Sequence, residues 1–271
     1  MRRAWQTNRA RSVDRVITAI PFAAAMFVGM LICLEIGRRI GRRHLARDPQ
    51  LMSTHSSMDS AVFALYGLLL AFTFSGAPAR LDARRQLIAQ EANVIGTAYM
   101  RVDLLPADLQ PAMRQRFRDY LDSRLETYRK FKDIEADKAG LAKSAQLQQE
   151  IWSQAVVATR SGASHAEAGK LLLPALNEMI NITTTRTMAA TIHPPAIIFA
   201  LLFVLALLCA LLAGYGTAIS KERSWLHIMA FVAIAVITVF VILEIEYPRI
   251  GFLSVETRYD QVLVDLRQSM R

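Results

Sequence analysis

Apolar and polar positions alternate along this chain on two different scales. Residues 16–36, 61–78, 195–219 and 225–247 are almost continuously apolar. Each approaches or exceeds the roughly 20 residues that a helix needs to cross a bilayer. Backbone amides cannot go unpaired in hydrocarbon, so these runs predict helices rather than isolated strands. The second run is the shortest and carries Tyr66, Thr73 and Ser75. Pro194 and Pro195 suit the start of the third helix, where a missing N–H costs nothing. Lys221, Glu222 and Arg223 predict a tight polar turn between the third and fourth.

Between the second and third runs the pattern becomes helical. Leu81, Ile88, Ala92, Ile95, Tyr99 and Val102 recur in steps of seven, four, three, four and three, which predicts that the second span continues as an amphipathic helix beyond the membrane. A second amphipathic helix is expected over residues 111–134, with Met113, Phe117, Tyr120, Leu121, Leu125, Tyr128 and Phe131 on one face. Two more follow over 141–159, with Trp152 inward, and 166–188, bent at Pro174. "RSGASH", residues 160–165, reads as a loop. The fold class is therefore an all-α membrane protein: four transmembrane helices in two hairpins, with a helical soluble insert between the second and third. Residues 1–79 form a basic tail and the first hairpin, 80–191 the extramembrane insert, 192–247 the second hairpin and 248–271 a C-terminal tail.

Composition agrees. Hydrophobic residues make up 53% of the 271, more than an ordinary soluble domain carries. The formal charge of +9 raises nucleic acid as a partner, but that reading needs a basic soluble face. Here Arg2, Arg3, Arg9, Arg11 and Arg15 precede the first span, and Arg38, Arg39, Arg42, Arg43 and Arg47 follow it. Such flanking cations sit at lipid headgroups, so a lipid bilayer is the expected partner and nucleic acid is not. The first span is longer than a signal-peptide core and ends in arginines, which favours a retained anchor. Cys33 and Cys209 both fall in apolar runs and suggest neither a disulfide nor a thiolate site. Counting Lys221 and Arg223 on one side against Arg249, Arg258, Arg267 and Arg271 on the other tilts the termini and the insert toward the cytoplasm.

Two carboxylates close the fourth span. Glu244 and Glu246 fall in its last turn, where a charge costs far less than at the bilayer centre. Either both reach headgroup water, with Glu246 paired to Arg249, or one, for which Glu244 is the choice, faces the bundle or a water-filled path. Residues two apart on a helix point about 200° apart, so a shared environment is not expected. Glu35 has Arg38 and Arg39 at the i+3 and i+4 positions, and a local ion pair accounts for it.

Two motifs occur in order. "LLLAFTFSGAPARLDARRQLIAQEANVIGTAYMRVDLLP" joins the second span to the insert through an arginine pair, an "EAN" triplet and "R-x-D-L-L-P"; "LEIEYPRIGFLSVETRYDQVLVDLRQSM" ends the chain. Together they resemble the bestrophin-like domain family of bacterial membrane proteins of unknown function, itself remotely similar to the bestrophin anion channels. The family-motif residues are Glu91, Asn93, Arg101, Glu244, Glu246, Pro248 and Gly251. Where many relatives carry aspartates, this chain has Glu244 and Glu246, and its Arg-rich leader is longer than usual. The resemblance implies four spans, a helical cytoplasmic region between the second and third, and a homo-oligomer, pentameric in bestrophins, around a pore lined by the second helix.

On that plan Phe72, Thr73 and Phe74 are the candidate pore constriction, although phenylalanines also suit lipid or helix packing. Arg80, Arg84 and Arg85 are a candidate anion-attracting ring, with headgroup contact as the equal alternative. Gly67 and Gly76 read as close contacts between helices. Glu91, Asn93 and Arg101 fit polar contacts inside the insert, or an interface or ion path. His44, His55, His165, His193 and His227 are scattered, and no phosphate-cradling loop or nucleophile elbow occurs, so neither an enzyme, a metal nor a cofactor is expected. The expected function is a channel for small inorganic anions in the cell inner membrane. The rival is a non-conducting scaffold or stress-related protein whose insert binds a partner through the face from Met113 to Phe131.

Overall fold

A computed structural model describes residues 19–46, 56–129, 134–160, 163–219, 224–246 and 261–270. Among them the ordered elements are all helical: α1 Ala19–Leu45, α2 Ser56–Met100, a 3-10 turn Arg101–Leu104, α3 Gln110–Arg129, α4 Ile134–Arg160, α5 Ala163–Ala189, α6 Ala196–Gly216 with a 3-10 turn Thr217–Ile219, α7 Trp225–Glu246 and α8 Gln261–Ser269. Four helices, α1, α2, α6 and α7, are long and apolar enough to cross a membrane. Pro248 and Gly251, with the Lys221–Arg223 turn and the arginines before the first span, lie outside the described residues.

Sequence chemistry sets several boundaries. Leu105, which precedes Pro106, is extended (φ −81°, ψ 159°), because the proline ring disfavours the helical conformation before it, and the 3-10 turn that follows α2 stops there. Pro195 stands just before α6 and not inside its first turn. Pro78 and Pro174 lie within α2 and α5. The expected six-residue loop at 160–165 is shorter, since α4 runs to Arg160 and α5 begins at Ala163. α1 continues past Ile36 to Leu45, because arginine is a good helix former and the intervening glycines are held by packing.

The chain divides into two compact units, one holding α1, α2 up to Arg80, α6 and α7, the other α2 from Leu81, α3 to α5 and α8. In the first, α1 rests chiefly on α6 and then on α7, so consecutive helices are not the closest pairs. Phe22 meets Phe203 at 5.3 Å between ring centroids, Gly29 faces Leu207, and Gly41 faces Tyr215 and Ala218. These contacts advance together along both helices, which therefore run parallel. Glycine makes the approach possible. A Cβ on Gly37 would overlap the Leu211 carbonyl, and one on Gly214 would overlap the Leu34 carbonyl. Lipid tails give apolar helices little reason to associate, so close backbone packing supplies the attraction. The glycines expected to serve this purpose do not: Gly67 faces open space, and Gly76 meets only the side chain of Arg80.

In the second unit the apolar stripes meet as their spacing predicted. Ile88, Ala92, Ile95 and Val102 of α2 share a core with Met113, Phe117 and Leu121 of α3. Trp152 of α4 and Tyr99 pack against it. α8 belongs here too, burying Leu263 and, just beyond its end, Met270, while Arg267 pairs with Asp122 of α3 at 2.8 Å.

Candidate functional site

Within the membrane unit, the apolar stretch of α2 is the least covered of the four spans. Its most apolar window is 11% buried, against 17% for α1, 28% for α7 and 33% for α6. Phe72 and Phe74 are exposed, whereas the Thr73 hydroxyl donates to the Leu69 carbonyl at 2.7 Å and so satisfies itself within its own helix. The 45 residues of α2 are about twice the roughly 20 that a span needs, and the charged second half belongs to the other compact unit.

The carboxylates that close α7 are both buried. Glu246 is gripped by the Arg80 guanidinium of α2, and the His193 Nδ1 stands 4.0 Å away. This corrects the expectation that both reach headgroup water, and it extends the alternative, since Glu246 is buried as well as Glu244. α7 packs against α1, and near its end Ile242 meets Ala77 of α2 and Phe199 of α6, so several sides of the last turn are covered. Arg80 reaches Glu246 because α2 passes alongside; Arg249 lies outside the described residues. The Glu35 pair is as expected, with the Arg39 Nε at 2.8 Å.

The three arginines that follow the second span do different things. Arg80 pairs with Glu246 in the membrane unit. In the helical body Arg84 is buried and donates to the carbonyls of Ala189 at 3.2 Å and Ile192 at 2.8 Å, satisfying groups that the end of α5 leaves orphaned. Arg85 pairs with Asp82 at 3.0 Å.

Glu91 forms the most concentrated group of charges in the helical body. It is fully buried on α2 and bound by two guanidiniums: the Arg124 Nε of α3 donates to Oε1 at 2.8 Å, and Arg186 of α5 donates to Oε2. The Tyr128 hydroxyl donates to Oε2 at 3.0 Å and accepts from Arg124, while the Arg186 guanidinium stacks 3.7 Å from the centre of the Tyr128 ring. Burial alone would push the Glu91 carboxyl up, but Arg124 and then Arg186 outweigh it and hold it below the ordinary carboxylate range. Burial, and next the Glu91 charge, push the Tyr128 hydroxyl well above its ordinary value, so it stays a neutral donor. A second polar layer lies nearby, where the Gln148 amide donates to the Tyr120 and Thr183 hydroxyls at 3.0 Å each.

Of the other motif residues, Arg101 donates to the Leu171 carbonyl at 2.6 Å, tying the end of α2 to α5, and Asn93 is exposed. The Glu91 cluster belongs to the helical body and the Arg80–Glu246 pair to the membrane unit. Sequence reasoning missed Arg124 and Arg186. The signal for Arg124 was present, since it interrupts the stripe of Tyr120, Leu121 and Tyr128 at helical spacing. Arg186 lies seven residues after buried Met179, a weaker signal. Among the described residues no three His, Cys, Asp or Glu side chains gather as metal ligands.

No curated protein and no solved structure matches the chain. The Bestrophin-like domain matches residues 23–259, which run from within the first span through the other three and the helical body up to the start of α8. With most of its length so matched, the chain belongs to the Bestrophin-like family of membrane proteins.

Proposed function

We propose that this protein is one protomer of a homo-oligomeric conduit for small inorganic anions, with the membrane stretch of α2 facing its copies and the path between them. The observation that carries the reading is the exposure of that stretch: the helix that leads into the helical body is the one left most uncovered. Phe72, exposed by 68%, would line a narrow apolar passage in a ring of copies, with Phe74, about 200° round the helix, turned away from it. Arg80, Arg84 and Arg85 follow that stretch along the chain, and of the three Arg85 is the one proposed to favour anions; the family's likeness to bestrophins supports a pentamer. The balance of basic residues places the termini and the helical body on the cytoplasmic side of the cell inner membrane.

A scaffold without conduction remains the second reading, because Arg80 and Arg84 are engaged with Glu246 and with backbone carbonyls. Purified protein reconstituted into planar bilayers separates the two. The conduit predicts chloride current that Arg85→Ala shifts in ion preference, since Arg85 pairs with Asp82 on its own helix, while Arg84 serves a structural end. An intact oligomer that passes no current under any ionic or voltage condition contradicts it.

A further inference from the structure

The cationic end of α1 is built as a surface for one kind of partner. Gly37 and Gly41 press this end of the helix against α6, and the His44 ring bonds the Tyr215 hydroxyl at 3.3 Å, so its rotation is fixed. With about 100° between successive residues, Arg39 and Arg43 point roughly opposite to that glycine face. Below them Ile32, Ile36 and Ile40 are exposed by 54%, 44% and 38%. Arg43 falls on the same side of the helix as the three isoleucines, and Arg42, about 100° round, flanks it.

Arg39 is paired to Glu35, but the exposed guanidiniums of Arg42 and Arg43 have no hydrogen bond or ion pair among the described residues. Arg42, Arg43 and His44 occupy the last turn, where cations suit the helix dipole. We propose that this face of α1 is a binding track for an anionic phospholipid, its phosphate held by Arg42 and Arg43 and one acyl chain laid along Ile32, Ile36 and Ile40. An apolar track ending in cations that have no partner among the described residues matches a lipid better than a free anion, which would gain nothing from the isoleucines. This track does not depend on whether the protein conducts.

Native mass spectrometry of the full chain, titrated with phosphatidylglycerol or phosphatidylcholine, tests it. The wild type retains phosphatidylglycerol in preference to phosphatidylcholine. R42Q/R43Q loses that preference, by roughly tenfold or more in apparent affinity, while R42K/R43K keeps it. Inorganic phosphate at the same concentration leaves the lipid adduct in place. Equal retention of both lipids, a preference that survives in R42Q/R43Q, or displacement by phosphate would overturn the track. A lipid-free melting curve of R42Q/R43Q that overlays the wild type separates lost binding from lost folding.

Discussion

In the membrane unit α1 meets α6 through glycines set against backbone carbonyls, whereas in the helical body α2, α3 and α5 meet through a buried carboxylate held by two arginines. The contrast follows from the solvent. Water drives the stripes of α2 to α5 together through apolar burial, and a polar cluster inside that core can then fix which faces meet. Lipid supplies little such drive, so α1 and α6 depend on the closeness that only a hydrogen side chain allows.

Breaking the charge cluster carries the largest expected effect. Glu91→Gln leaves Arg124 and Arg186 without their shared carboxylate and costs about 3 to 5 kcal/mol, measurable as a lowered unfolding midpoint of the detergent-solubilised chain. The effect has a sign in pH. Because Glu91 is held below its ordinary value of 4.5, its contribution is complete above that pH and is lost as pH falls through the lower folded value. The gap between wild type and variant should therefore close on acidification, and a constant gap would show that charge is not what holds these helices.

Gly37→Leu is next, because the side chain must displace the Leu211 carbonyl. The expected cost is about 3 kcal/mol or more, at the upper end for overpacking, and the same change at Gly67, which faces open space, should leave the midpoint within error. Equal losses at both glycines would remove the distinction between them. Smallest is Arg267→Ala, which removes an exposed pair with Asp122; about 0.2 to 1 kcal/mol is expected, and a larger loss would mean that α8 is held by more than Leu263 and Met270.

The regular parts of the fold were legible in the sequence. Continuous apolar runs gave the spans, and Ile88, Ala92, Ile95 and Val102 faced inward at helical spacing. What escaped were meetings between distant residues. Gly37 and Gly41 have the spacing of a close-packing motif, but spacing does not name the partner, and Gly67 looked as suitable until its surroundings were known. Glu91 was singled out through its motif, while its two arginines stand 33 and 95 residues away. Glu246 shows the same limit: its pair with Arg80 joins residues 166 apart, which local spacing does not indicate.

The central claim is that the uncovered membrane stretch of α2 faces other copies around a path. Particle images of the detergent-solubilised protein address it directly. A closed ring of copies with an axial opening, α2 innermost and Phe72 at the lumen, is the predicted result. A monomer, a sealed dimer, or a ring with Phe72 turned toward lipid would contradict it.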